Sequence, residues 1–237
     1  MRVLGLVPAR GGSRRVPGKN LALLDGRTLV RRALETCLAA NSLDAVVLSS
    51  DSPAILAEAE GLSGVLAVAR PAELAADTAL AYDVAVHALG EAEARAGGHF
   101  DALTIVQCTS PFTEPGDIDA TLALLESSGA ESAVTVTRSD DIAHPLKQKL
   151  LEGDRLLPFI RDDELTPSHE LPQLWVRNGA VYCTRTRVLG EGRLLGFDVR
   201  ALPMPRERSL DINAPLDLAF AEFLLERSKR QVLDHDP

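Results

Sequence analysis

Four cationic side chains, Arg10, Arg14, Arg15 and Lys19, fall within ten residues of one another, interleaved with Gly11, Gly12, Ser13 and Gly18. Guanidinium and ammonium groups suit phosphate oxygens, and glycines let backbone N–H groups converge on an anion. Polyphosphate binding is the chemistry this composition offers. The segment is not a Walker A loop, which needs Gly, four residues, then Gly-Lys-Ser/Thr. Here five residues separate Gly12 from Gly18, Asn20 takes the hydroxyl's place, and Pro17 opposes a continuous curl. That spacing counts against a P-loop kinase or ATPase.

Charge distribution supports a local anion site. Residues 1–32 carry eight basic side chains against one acid, Asp25, on a chain whose net charge is −9. Such a segment on an acidic body focuses a small polyanion, although Arg31 and Arg32 read equally well as a solvated helix face. A general nucleic-acid binder would need a broad basic face, so nucleic acid is not expected as a partner. The three cysteines, Cys37, Cys108 and Cys183, lack metal-ligand spacing and read as reduced thiols. Residues 1–8 are too short to read as a signal peptide, and no apolar run is long enough to span a bilayer. The expectation is a soluble, cytoplasmic protein without a membrane partner.

The phosphate segment directly follows Val3–Val7, a run of branched apolar residues that reads as a buried strand. Further strands are expected at Ala45–Leu48, Val65–Val68, Leu103–Val106 and Ala133–Val136. Between them, Thr28 caps a helix to about Ala40, with Leu29, Ala33, Leu34, Cys37 and Leu38 on one face. Ser52-Pro53 opens another, Ala79–Ala96 forms a third stopped by Gly97-Gly98, and a fourth covers Pro115–Ser127. This alternation predicts an α/β fold, a doubly wound and mostly parallel sheet covered on both faces. Ligands of such sheets sit beyond the carboxyl ends of the strands, here the loops after Val7, Leu48 and Val106 and the segment near Leu210. The rhythm breaks after Arg138. Residues 139–175 read as an insertion with a hairpin turning at Glu152-Gly153-Asp154, placed to meet a partner subunit. Extended structure returns at Ala180–Cys183 and Phe197–Leu202, and a helix from about Ala214 to Arg230 closes a single domain spanning 1–237.

Val7–Ser13 followed by Pro17-Gly18-Lys19-Asn20 resembles the nucleotide loop of the acylneuraminate (sialic acid) cytidylyltransferases. Matching blocks follow in order: Arg70–Thr78, Gln107-Cys108-Thr109-Ser110-Pro111, Asn178-Gly179-Ala180-Val181-Tyr182, and Ser209-Leu210-Asp211-Ile212-Asn213. The resemblance implies a nucleotide-diphospho-sugar transferase (glycosyltransferase-A-like) domain whose insertion at 139–175 pairs a homodimer. It implies a reaction of CTP with a nine-carbon α-keto acid (nonulosonic) sugar, giving the CMP-sugar and pyrophosphate with Mg²⁺ as cofactor.

Residue roles follow from the same resemblance. Arg10 and Lys19 would stabilise charge on the triphosphate, assisted by Ala9, Gly11, Gly12 and Ser13, with Asn20 at the nucleotide's sugar or phosphates. Arg70 would read the cytosine edge, and backbone near Ala79 would exclude a purine. Gln107, Thr109, Ser110 and Tyr182 would orient the acceptor sugar, and Lys147 of the His144-Pro145-Leu146-Lys147 stretch would reach its carboxylate across a dimer. Asp211 would hold magnesium with help from Asn213. Plainer roles stand beside these: Tyr182 as core, Asp211 as a cap of the helix that follows. Asp51, after Ser49-Ser50, is read as a helix cap.

The chain departs from the family at several points. Asn213 replaces a second metal-side carboxylate, Cys108 a proline, Thr113 an arginine, and Ser168 an arginine of some sialic acid enzymes. Enzymes for the eight-carbon acid of lipopolysaccharide typically carry Gln-Gly-Asp-Glu-Pro where this chain has Gln107–Pro111, and pseudaminic acid enzymes usually lack the block at 178–182. Sialic and legionaminic acid remain as acceptors, with same-fold enzymes for other sugars and a non-catalytic nucleotide binder as the competing readings.

Overall fold

Short runs of branched apolar residues form the strands, and their side chains alternate between two helical layers. The computed structural model describes residues 1–13, 16–160 and 167–233, so Arg14, Arg15 and the side chain of Ser168 lie outside the described residues. The first half of the chain runs β1 (Val3–Pro8), β2 (Leu23–Leu24), β3 (Arg27–Thr28), α1 (Leu29–Ala39), β4 (Ala45–Ser50), α2 (Pro53–Leu56), β5 (Val65–Ala69), α3 (Ala81–Ala96) and β6 (Ala102–Val106). The second half runs α4 (Pro115–Ser128), β7 (Ser132–Arg138), β8 (Lys149–Glu152), β9 (Arg155–Pro158), β10 (Trp175–Arg185), α5 (Thr186–Gly190), β11 (Val199–Pro203) and α6 (Pro215–Leu233).

Among the described residues seven strands form one sheet, in the order β11-β7-β10-β6-β1-β4-β5. Neighbours pair in parallel except β10, which is antiparallel to both β6 and β7. Val3 and Val7 of β1 pack with Leu34 of α1, Ile118 of α4 and Ala221 of α6. Leu4 and Leu6 point the other way, into the cluster holding Ala85, Ala88 and Ala92 of α3. Both faces of β1 are therefore buried, which is why its sequence is apolar without alternation. The expected doubly wound, mostly parallel sheet is what forms.

Local signals act as expected at several ends. Thr28 Oγ1 accepts the Arg31 N–H at 3.0 Å to start α1, and Gly97 ends α3 at φ 64°. Three details differ. Val30 is buried on α1 while Leu38, placed by periodicity on the buried face, lies at its edge and is 37% exposed. The helix after Ser52 is a single turn that tightens into a 3-10 turn at Ala57–Ala59. α3 starts at Ala81, because the Ala79 N–H closes a turn onto the Ala76 carbonyl at 3.0 Å.

After β7 the chain leaves the main sheet through 3-10 turns at Asp141–Ala143 and Pro145–Lys147. β8 and β9 pair only with each other, around Gly153 at φ 65°. The chain rejoins the sheet at Trp175 as β10, whose pairing with β7 slips between Arg177 and Tyr182. That irregularity holds Gly179 at φ 83°, a left-handed backbone that favours glycine.

Candidate active site

A cavity of about 520 Å³ opens at the carboxyl ends of β1 and β6. Its lining includes Arg10, Ser13, Lys19, Asn20, Arg70, Ala79, Gln107 and Thr109, eight of the residues singled out from sequence. Leu6, Val84 and Ile105 supply an apolar wall.

Pairing of β1 with β4 explains how the phosphate loop is held. The two strands run in parallel with Pro8 opposite Ser49, so the loops leaving them lie side by side. The Ala9 N–H continues the ladder onto the Ser49 carbonyl at 3.0 Å. Asp51 Oδ1 then accepts the Gly11 N–H at 2.8 Å. Asp51 is thus not the cap expected from sequence: Ser52 is the N-cap residue of α2, and the Asp51 carboxylate fastens the phosphate loop. Gly18 adopts φ 65° before the short 3-10 turn Lys19–Leu21. A Cβ on Gly12 would meet nothing within 4 Å among the described residues.

Among the described residues, Arg10, Lys19 and Arg70 each have a partner. Arg10 Nη1 meets Asp77 Oδ1 at 3.0 Å, with both side chains more than a third exposed. Lys19 Nζ donates to the Ile212 carbonyl at 2.7 Å and so joins the phosphate loop to the segment carrying Asp211. Arg70 is buried; its Nε and Nη2 donate to the Ser49 hydroxyl and carbonyl at 3.2 and 2.7 Å. Burial lowers its pKa, and the nearby Asp51 charge opposes that shift. Asn20 is also buried, with Nδ2 donating to the Arg10 carbonyl at 2.8 Å and Oδ1 accepting from Cys108 Sγ at 3.1 Å. Its amide thereby helps to hold the loop.

At the other end of the site, Asn178 organises the chain. Its Oδ1 accepts from Thr135 Oγ1 at 2.7 Å, and its Nδ2 donates to Ser209 Oγ at 2.9 Å. This carries the segment 209–213 to the sheet. A Cβ built on Gly179 would lie 3.6 Å from Ser110 Oγ and 3.8 Å from Asp211 Oδ2, so these two groups flank Gly179 closely. Ser110 Oγ is buried without a hydrogen-bond partner. Arg208 adds an anchor, pairing with Glu114 at 3.0 Å and with Asp117 at the start of α4. The amides before α6, Asn213 N and Ala214 N, both donate to Asp217 Oδ2 at 2.7 Å. Asp217 therefore does the capping, and the Asp211 carboxylate is left for other work.

Magnesium, implied by the resemblance, takes hard oxygen ligands and needs only one or two protein carboxylates beside phosphates and waters. Asp211, with the unpartnered Ser110 hydroxyl close by, fits an ion held largely by a triphosphate. A fully protein-built cage does not fit, since no group of three or more His, Cys, Asp or Glu suited to a metal occurs among the described residues. Asn213 turns its Nδ2 toward Asp211 Oδ2 at 2.6 Å, so it supports that carboxylate as a donor.

Three expected sugar contacts, Ser110, Tyr182 and Lys147, stand back from the cavity, as do Asp211 and Asn213. Tyr182 is half-buried against the core that contains Leu4 and Leu6, and pairs in register with Ile105; burial raises its pKa. Lys147 sits in the 3-10 turn of the 139–175 excursion, outside the cavity lining. The sequence gives no hint of the tasks of Asp77 and Asn178, and suggests a helix cap for Asp51. Their partners lie 67, 31 and 40 residues away, a separation that local pattern does not encode.

A family model described as Cytidylyltransferase matches residues 4–166. The chain belongs to that family. This cytidylyltransferase is 26% identical over 236 residues to the CMP-N,N'-diacetyllegionaminic acid synthase of Legionella pneumophila, covering 98% of the chain and 100% of that protein. It is 26% identical over 237 residues to the N-acylneuraminate cytidylyltransferase of Escherichia coli O18:K1:H7, covering 98% of the chain but 54% of the relative, about half its length. Among solved structures it resembles a CMP:2-keto-3-deoxy-manno-octonic acid synthetase complexed with CTP, at a TM-score of 0.71 and 18% identity, covering 96% of this chain and 100% of that one. That likeness supports the nucleotidyltransferase architecture.

Proposed function

We propose that this cytidylyltransferase transfers CMP from CTP to the anomeric hydroxyl of a nine-carbon α-keto acid sugar of the N-acetylneuraminic or legionaminic type. The observation that carries the reading is the Lys19–Ile212 contact, which ties a lysine lining the cavity to the segment that carries Asp211. A triphosphate along the loop meets Arg10, Lys19 and Ser13, while the donor of Arg70 not spent on Ser49, Nη1, serves the base. The acceptor oxygen bonds to the α-phosphorus as the α–β bridge breaks, pyrophosphate leaves, and one proton is released. Arg10 and Lys19 stabilise the charge that develops on the leaving group, the largest contribution a protein makes to such a displacement. Magnesium, if bound, would be held by Asp211 with the triphosphate and would supply neutralisation of the same charge.

The excursion 139–175 serves in this reading as a homodimer contact, and Lys147 reaches the partner's acceptor carboxylate. Its support is the exposure of several large apolar side chains along it, among them Ile142, Leu151, Leu156, Phe159 and Trp175. A cytoplasmic setting rests on three buried free cysteines and on the absence of a membrane-crossing helix among the described residues.

The test is CTP-dependent pyrophosphate release with N-acetylneuraminic acid, N,N'-diacetyllegionaminic acid and 3-deoxy-manno-octulosonic acid offered separately. Turnover is expected with a nine-carbon acid. Turnover with the eight-carbon acid alone would overturn the acceptor assignment.

A further inference from the structure

All three thiols are buried, but they do different things. Cys37 packs into the core, and Cys183 accepts from Thr104 Oγ1 at 3.3 Å inside the sheet. Of the three, Cys108 is the one that lines the candidate nucleotide cavity. It occupies the second position of the turn Gln107–Ser110, closed by the Ser110 N–H on the Gln107 carbonyl at 3.1 Å. Its Sγ lies 3.1 Å from Asn20 Oδ1.

The direction of that hydrogen bond is set at the far end of the amide. Asn20 Nδ2 lies 2.8 Å from the Arg10 carbonyl, which can only accept. The amide is thereby oriented with Oδ1 toward sulfur, and the thiol must be the donor. Burial pushes the Cys108 thiol up to about 12, with Lys19 opposing the shift, so it keeps its proton at neutral pH. The result is a chain from the Gln107–Ser110 turn, through thiol and amide, to the backbone of the residue whose guanidinium faces Asp77.

We propose that Cys108 is a positioning residue for nucleotide binding, acting through Asn20 to fix the Arg10 backbone and so hold the phosphate loop in its binding shape. The inference rests on reading this cavity as the CTP site. It assigns the thiol a task that size and burial alone would not give it. Serine keeps a donor at the same place. Alanine leaves a buried amide oxygen unpaired. Proline suits the second position of a tight turn and stiffens the chain, but removes the donor.

The experiment compares Cys108→Ser, Cys108→Ala and Cys108→Pro with Cys183→Ala, a buried thiol away from the cavity. Three quantities are read: steady-state KM for CTP against kcat, the melting temperature, and amide hydrogen exchange at residues 9–13 without ligand. Cys108→Ala and Cys108→Pro are expected to raise KM for CTP about five-fold, equivalent to about 1 kcal/mol, with kcat nearly unmoved and exchange at 9–13 accelerated. Cys108→Ser recovers most of that loss. Cys183→Ala lowers the melting temperature without moving KM or loop exchange. Wild-type exchange and KM in Cys108→Ala overturn the proposal, as does an equal KM effect from Cys183→Ala. Failure of the wild-type protein to bind CTP would instead defeat the functional reading, while loop exchange in the ligand-free variants would still decide the role of Cys108.

Discussion

The phosphate loop and the neighbouring Asp211 segment are secured in different ways. Around the phosphate loop, Ala9, Gly11, Lys19, Asn20 and Arg70 are each tied down by a neighbouring strand or loop, and Arg10 is paired with Asp77. In the Asp211 segment the supports lie one step back, in Asn178 and Arg208, while the Asp211 carboxylate accepts from Asn213 Nδ2 and the buried Ser110 hydroxyl near it has no hydrogen-bond partner. A preformed grip suits a ligand of fixed shape such as a triphosphate. Groups left with open valences suit a ligand or ion that completes them on arrival.

The largest test of that contrast is Asp211→Ala. It is expected to lower kcat by about two to three orders of magnitude, the usual cost of losing one group aimed at transition-state charge, with a small change in KM for CTP. An effect confined to KM would break the division between the two regions. Asp51→Ala should do the reverse. Loss of the Gly11 acceptor loosens the phosphate loop, raising KM for CTP about ten-fold in steady-state assays, about 1.4 kcal/mol, while kcat holds.

Gly179→Ala sharpens the comparison by stressing the backbone beside the Asp211 segment without removing a polar group. A side chain at φ 83° strains the backbone, although its Cβ would meet Ser110 and Asp211 only at ordinary contact distance. A destabilisation of about 1–2 kcal/mol is expected, seen as a melting temperature lower by about 2–8 °C for a chain of this size, together with reduced kcat. The smallest effect is expected from Asp77→Asn, which frees Arg10 for the triphosphate. CTP should bind about two-fold more tightly at low ionic strength by calorimetry, with the gain shrinking as salt is added, as for an exposed ion pair. Weaker binding would mean that Asp77 orients Arg10 rather than competing for it.

Much of this was legible in the sequence for identifiable reasons. β1, β4, β5 and β6 are apolar runs bounded by turns, so period and length reveal them, and their carboxyl ends point to the loops that line the cavity. Glycines and cations announced the phosphate loop. The antiparallel course of β10 and the task of Asp51 were not legible. Both depend on which strand lies beside which: Asp51 reaches Gly11 only because β4 neighbours β1. Asp211 could cap the following helix on paper, but the fold assigns the amides just before α6 to Asp217.

The sheet order has a consequence for how the chain comes into being. β7 and its neighbour β11 join the rest of the sheet solely through β10, since β10 stands between β7 and β6. Yet β7 ends at Arg138 and β10 begins only at Trp175. At synthesis rates of about 5–20 residues per second, the finished β7 must wait on the order of seconds for the strand that fastens it. Through that interval Ser132–Val136, fully buried in the end, has no ladder to enter. The length of the 139–175 excursion thus sets a delay in assembly and the time during which nascent chains are open to pairing with one another.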